Sequence, residues 1–161
     1  FWYLFNNFFG IIAEDFKLST GTFVSVGPLR ARVIAAGDPC VQDVVVTGLN
    51  RDEIGLLIFP RIDSCRALSG LPASATLAEV LEEAPVRHFF QNLVDRMYAA
   101  GTGSATRVAR ALVLVNPPSI DLGEITDKGS INQRAVLTHR ADLVERLYAD
   151  VPDANVLLPR R

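Results

Sequence analysis

The chain has 161 residues, 49% of them hydrophobic, with 16 Lys and Arg against 18 Asp and Glu and a formal net charge of -2. That length accommodates one domain around one modest core, and that composition excludes a disordered chain. The faint acidity gives no electrostatic attraction to nucleic acid or to an anionic membrane, so neither is expected as a partner.

The first nine residues, Phe-Trp-Tyr-Leu-Phe-Asn-Asn-Phe-Phe, are too few to span a bilayer. They lack the basic start and small-residue cleavage site of a secretory signal. Such an aromatic run needs a cover, which reads as a piece cut from something longer or a start that is not the native one. Residues 1–9 are therefore set apart as an atypical segment, 10–150 as the folded domain and 151–161 as a tail, with the cytoplasm as the expected compartment.

Lys17 to Val26 reads as a loop feeding a short strand around Gly21. Pro28 suits a first helical turn, with Leu29, Val33 and Ile34 as its apolar face. Valine-rich Val41–Leu49, the polar turn Asn50-Arg-Asp52 and Ile54–Phe59 predict a β-hairpin. Arg61 to Ser74 is expected to be mostly loop. Thr76 and Glu79 have capping-box spacing for a helix using Leu77, Val80 and Leu81. Pro85 interrupts it, and Val86, Phe90, Leu93, Val94 and Met97 carry a helical period onward to Tyr98. Ala100–Ser104 is a flexible break before a strand at Val108–Val115. Pro117-Pro118 forbids regular structure. Ser130 and Gln133 again have capping spacing, here for a final helix using Val136, Leu137, Val144, Leu147 and Tyr148. A frayed tail is expected from Val151. Strands that do not strictly alternate with helices predict an α+β fold: a small mixed sheet, hairpin plus further strand, flanked by helices.

Lys128 is the sharpest chemical candidate. Composition alone reads it as a solvated loop lysine. The functional reading uses Gly123 and Gly129, which let backbone approach a ligand, and the compact ammonium, which binds carboxylate and phosphate oxygens. Glu14, Asp15 and Lys17 read as a solvated charged turn. Gly101–Arg107 lacks the Gly-Lys-Ser/Thr ending of a phosphate loop and reads as a turn. Asp121, Glu124 and Asp127 share one loop without an apolar pocket to raise a pKa, so no acid/base pair is assigned. Cys40 and Cys65 form no CxxC and read as buried or incidental thiols. His88 and His139 are solitary, and no metal site is expected.

The segment Ala13-Glu-Asp-Phe-Lys-Leu-Ser-Thr-Gly-Thr-Phe-Val-Ser-Val-Gly-Pro-Leu-Arg30, followed by Gly123-Glu-Ile-Thr-Asp-Lys-Gly-Ser-Ile-Asn-Gln-Arg-Ala-Val-Leu137, resembles the C-terminal lid domain of adenylate-forming acid–CoA ligases, most closely feruloyl-CoA synthetases. The resemblance covers roughly Phe8 to Tyr148. It implies an ATP-dependent activation of an aromatic acid such as ferulate, as in phenylpropanoid degradation. An acyl-adenylate forms first, and the thiol of coenzyme A then displaces AMP. ATP, its Mg2+ and coenzyme A would be held mainly by an N-terminal nucleotide- and acid-binding domain, so this chain alone is expected to be inactive. By the same resemblance Lys128 is the catalytic lysine bridging carboxylate and nucleotide. Ser19, Thr20, Gly21 and Thr22 form the loop on the coenzyme A side, and the hinge falls at Ala13, Glu14 and Asp15. Ile11 stands where the family usually has arginine, and isoleucine cannot replace a guanidinium. That departure favours the alternative, a non-catalytic remnant or stand-alone lid acting as a binding module.

Overall fold

A computed structural model describes residues 14–160. A small hairpin, β1 (Phe16–Lys17) and β2 (Phe23–Val24), leads into helix α1 (Val26–Ala36). Strands β3 (Val41–Thr47) and β4 (Ile54–Pro60) follow as the expected antiparallel hairpin. Its turn holds Asn50 at φ +62°, a conformation asparagine tolerates better than most residues. Helices α2 (Ile62–Ser69), α3 (Leu77–Glu82) and α4 (Ala84–Ala100) then cross over to β5 (Val108–Val113), which pairs parallel with β4. Helices α5 (Gln133–His139) and α6 (Ala141–Leu147) precede β6 (Val156–Leu157), antiparallel to β5. The main sheet thus runs β3-β4-β5-β6 and is mixed, with helices on both faces. This is the α+β arrangement the sequence predicts.

Every residue of β4 is buried, as a central strand covered on both faces requires. Ile54, Leu56 and Ile58 join Val44, Val46 and residues of α1, α2 and α4 in the larger core. Leu57 and Phe59 turn to the opposite face, with Val45, Leu112, Val136 and Leu147. Gly55 is fixed by close approach: a Cβ there would lie 2.7 Å from Thr47 Oγ1 and 2.9 Å from the Tyr148 hydroxyl. That hydroxyl donates to the Glu53 carbonyl at 2.8 Å, and the Arg51 and Arg110 guanidiniums lie 4.8 and 5.0 Å from the ring centroid. At the sheet edge, two β3 amides are satisfied by side chains: Val46 donates to Gln133 Oε1 (3.0 Å) and Val44 to Asp43 Oδ1 (2.8 Å).

Four local expectations are corrected. Arg61–Ser74 is not mostly loop, because the buried Cys65 anchors α2 on the larger core and Gly70 ends it at φ +73°. Ser130 does not cap α5. Its hydroxyl lies 2.8 Å from Thr126 Oγ1, and Asn132 caps instead by accepting from Ala135 N at 3.2 Å. The final helix is two helices, broken at Arg140 (φ -115°, ψ 32°). The tail is not frayed throughout: Val156 is buried beside β5, and the Arg160 guanidinium binds Asp95 at 2.8 Å. The capping box at Thr76 and the interruption at Pro85 are as expected.

Candidate functional site

Lys128 stands at the tip of a tight hairpin. Ile125 and Ile131 form its antiparallel bridge. Thr126 N donates to Ser130 O at 2.8 Å and Gly129 N to Thr126 O at 2.9 Å, leaving Asp127, Lys128 and Gly129 as the loop. Gly129 has φ +80°, which the third residue of such a loop requires and glycine supplies without strain. Lys128 is exposed, and no described residue gives it a hydrogen bond or ion pair. On the turn before the hairpin, Ile120 and Leu122 are 77% and 52% exposed.

The base of this hairpin is held at both ends. Glu124, 1% exposed, receives Arg140 Nε on Oε2 at 3.0 Å and Arg140 NH2 on Oε1 at 2.9 Å. Oε1 also accepts from Ser119 N at 2.8 Å, and the Glu124 carbonyl accepts from Asn132 N at 2.8 Å. Arg140 further donates to the carbonyls of Asn116 and Pro117, both at 2.8 Å, and lies 5.0 Å from the Phe59 ring centroid. Arg140's hydrogen bonds hold the Glu124 carboxyl below the usual carboxylate range, against the burial that would raise it. At the other end, Asp43 Oδ2 accepts from Ile131 N at 3.3 Å. Neither Glu124 nor Asp43 was singled out by the sequence for this role, because partners so distant in the chain leave no spacing to read.

Ser19, Thr20 and Gly21 form a second loop of the same make between β1 and β2. Leu18 N donates to Thr22 O and Gly21 N to Leu18 O, both at 2.9 Å, with Gly21 at φ +87° and nothing within 4 Å of a Cβ there. Ser19 is docked on the β3–β4 turn, its amide donating to Arg51 O at 2.8 Å and its hydroxyl to Asp52. Thr22 Oγ1 lies 3.4 Å from Ser104 Oγ, and Ser104 lines a depression of about 420 Å³ together with Asp52, Tyr98, Arg107 and Arg110.

Of the hinge residues, Ala13 lies outside the described residues, as does Ile11. Asp15 Oδ1 accepts from Val26 N at 2.9 Å, tying that segment to the start of α1. Glu14 is 3.7 Å from Arg30, whose NH2 binds Asp43 at 2.9 and 3.2 Å. The structure therefore links Glu14 through Arg30 and Asp43 to the lysine hairpin, and keeps the Gly21 loop separately anchored on the β3–β4 turn. Among the described residues no three metal-ligating side chains come together.

The profile of the AMP-binding enzyme C-terminal domain matches residues 15–152. The chain belongs to that family. No curated protein matches it by sequence. Among solved structures, it is similar to the adenylation domain of the carboxylate reductase from Mycobacterium chelonae, with 19% identity and a TM-score of 0.61 over 86% of this chain and 20% of that one. It is also similar to the A domain of carboxylic acid reductase from Segniliparus rugosus, in complex with AMP and a co-purified carboxylic acid (22% identity, TM-score 0.56, 85% and 20% covered). The A-PCP didomain of that reductase, in complex with AMP, gives 23% identity and a TM-score of 0.54 over 84% and 17%. At these identities the likeness shows a shared fold. The AMP-binding C-terminal domain here spans about one fifth of the chains it matches.

Proposed function

We propose that this AMP-binding C-terminal domain is the lid of an ATP-dependent acid–thiol ligase that activates an aromatic carboxylic acid such as ferulate. The supporting observation is Lys128: an ammonium on a glycine-closed hairpin with a braced base and no partner of its own among the described residues. In the first step the substrate carboxylate attacks the α-phosphorus of ATP and pyrophosphate leaves. Lys128 lies across the carboxylate and the nucleotide, neutralising charge that grows on the phosphoryl oxygens. In the second step the thiol of coenzyme A attacks the acyl carbonyl and AMP leaves. The Ser19–Thr22 loop then lines the thiol's approach, and the depression beside Ser104 suits the pantetheine arm. Exposed Ile120 and Leu122 are apolar surface for the N-terminal domain to cover. Mg2+ would arrive with the phosphates of ATP, since the described residues offer it no cluster of ligands.

The test adds this chain to an acid–CoA ligase deprived of its own lid and follows ATP–pyrophosphate exchange. Lys128→Ala should lower exchange by about 10²–10³, as loss of one preorganised charge-stabilising group does. Equal rates for the two proteins would sink the assignment. The binding-module reading, favoured by Ile11, predicts no exchange with either protein while the chain still binds the lidless ligase.

A further inference from the structure

Glu124 and Arg140 are spent on nothing the proposed chemistry uses directly, yet they are the most thoroughly bonded ion pair near Lys128. Glu124 lies immediately before the hairpin, and Arg140 occupies the break between α5 and α6. One guanidinium gathers both carboxylate oxygens, the carbonyls of Asn116 and Pro117, and the face of Phe59 from the central strand. The hairpin, the Pro117-Pro118 loop and the sheet are thereby fixed to one planar group. A buried pair of this kind is weak evidence of a gain in stability, since desolvation offsets much of the attraction. A geometric role accounts for it better.

We propose that Glu124 and Arg140 are positioning residues for Lys128: their bidentate pair sets the height and direction of the lysine hairpin above the sheet, so adenylation depends on it and thioester formation does not. The inference rests on the reading of Lys128 as the adenylation lysine. Lysine cannot substitute for Arg140, because a point charge with three donors cannot reproduce a planar fork shared among two carboxylate oxygens and two carbonyls. Glutamine at Glu124 keeps the shape and loses the charge that gathers the fork.

Two measurements test this on Glu124→Gln and Arg140→Lys. In the first, amide hydrogen exchange is followed on the whole chain. Thr126, Gly129 and Asn132, whose amides close the hairpin and its base, should exchange faster in both variants, while the β4 amides keep wild-type rates. Unchanged hairpin protection would overturn the inference, as would loss of protection spread evenly over the sheet. In the second, the two partial reactions are separated in the lidless-ligase system. ATP–pyrophosphate exchange should fall by about a hundredfold, as misplacing a reacting group by about an ångström does. Thioester formation from preformed acyl-adenylate should stay at the wild-type rate. A proportional fall in both steps would show a merely structural pair and overturn the proposal. If Lys128→Ala leaves adenylation untouched, the functional reading fails instead, and amide exchange still decides whether the pair holds the hairpin.

Discussion

Gly21 and Gly129 do the same local work at φ +87° and +80°, and neither is there to avoid a collision, since nothing lies within 4 Å of a Cβ at either position. Their substitution therefore isolates backbone strain from packing. Gly21→Ala and Gly129→Ala should each destabilise the domain by about 1–2 kcal/mol, read as a shift in urea midpoint at unchanged slope. The asparagine variants should lose less, because asparagine visits the left-handed region more readily. A neutral alanine at either position would contradict the hairpin geometry. These glycines were visible in the sequence. The hairpin register that puts Lys128 at the tip was not, because it is set by the bridge between Ile125 and Ile131 and by amides donating across the turn.

At the scale of elements, strong period and explicit caps were legible, and partnerships across the chain were not. The β3–β4 hairpin, the capping box at Thr76 and the stop at Pro85 each carry their signal within a few residues. Helix α2 buries only Cys65, set among Asp63, Ser64 and Arg66, so no apolar period stands out from the polar background. The split between α5 and α6 follows from Arg140 being drawn to Glu124 and two loop carbonyls, a tertiary demand that overrides helical continuity. The same pair has a pH signature. Glu124 is held below its ordinary value of 4.5, first by Arg140's hydrogen bonds, so its contribution is present above that value and is lost as pH falls through the folded value. Stability should therefore decline below about pH 4.5, with Asp153, held low by Arg146, adding to the decline. Glu124→Gln should flatten part of that decline in thermal unfolding at graded pH, and an unaltered pH profile would count against the pair.

For the whole molecule, the larger of the two cores takes in both thiols. Cys40 and Cys65 are 2% and 0% exposed, and burial pushes the Cys65 thiol up to about 12. Both should be inert to an aromatic disulfide reagent in the native state and react only when the domain opens globally. Labelling followed across urea should then track the unfolding transition, and rapid labelling in buffer would mean that the larger core opens locally. The α+β class could be anticipated from apolar pattern, whereas the division of the interior into two cores on opposite faces of the sheet could not, since the length predicts one modest core. The placement of the Ser19–Thr22 loop on the β3–β4 turn could not, since it depends on Ser19 meeting Arg51 and Asp52.

The two glycine-closed loops are moored near opposite ends of one strand: the lysine hairpin through Asp43 near the start of β3, and the Gly21 loop on the turn that follows Thr47. Asp43 and the start of that turn at Gly48 are five positions apart, about 17 Å along the strand. Under the proposed function, the lysine and the thiol-side loop therefore address one shared reacting centre from separate parts of the domain. On that reading the order of the two steps would follow from which loop faces the centre, with the thiol-side loop held apart while the lysine is in place.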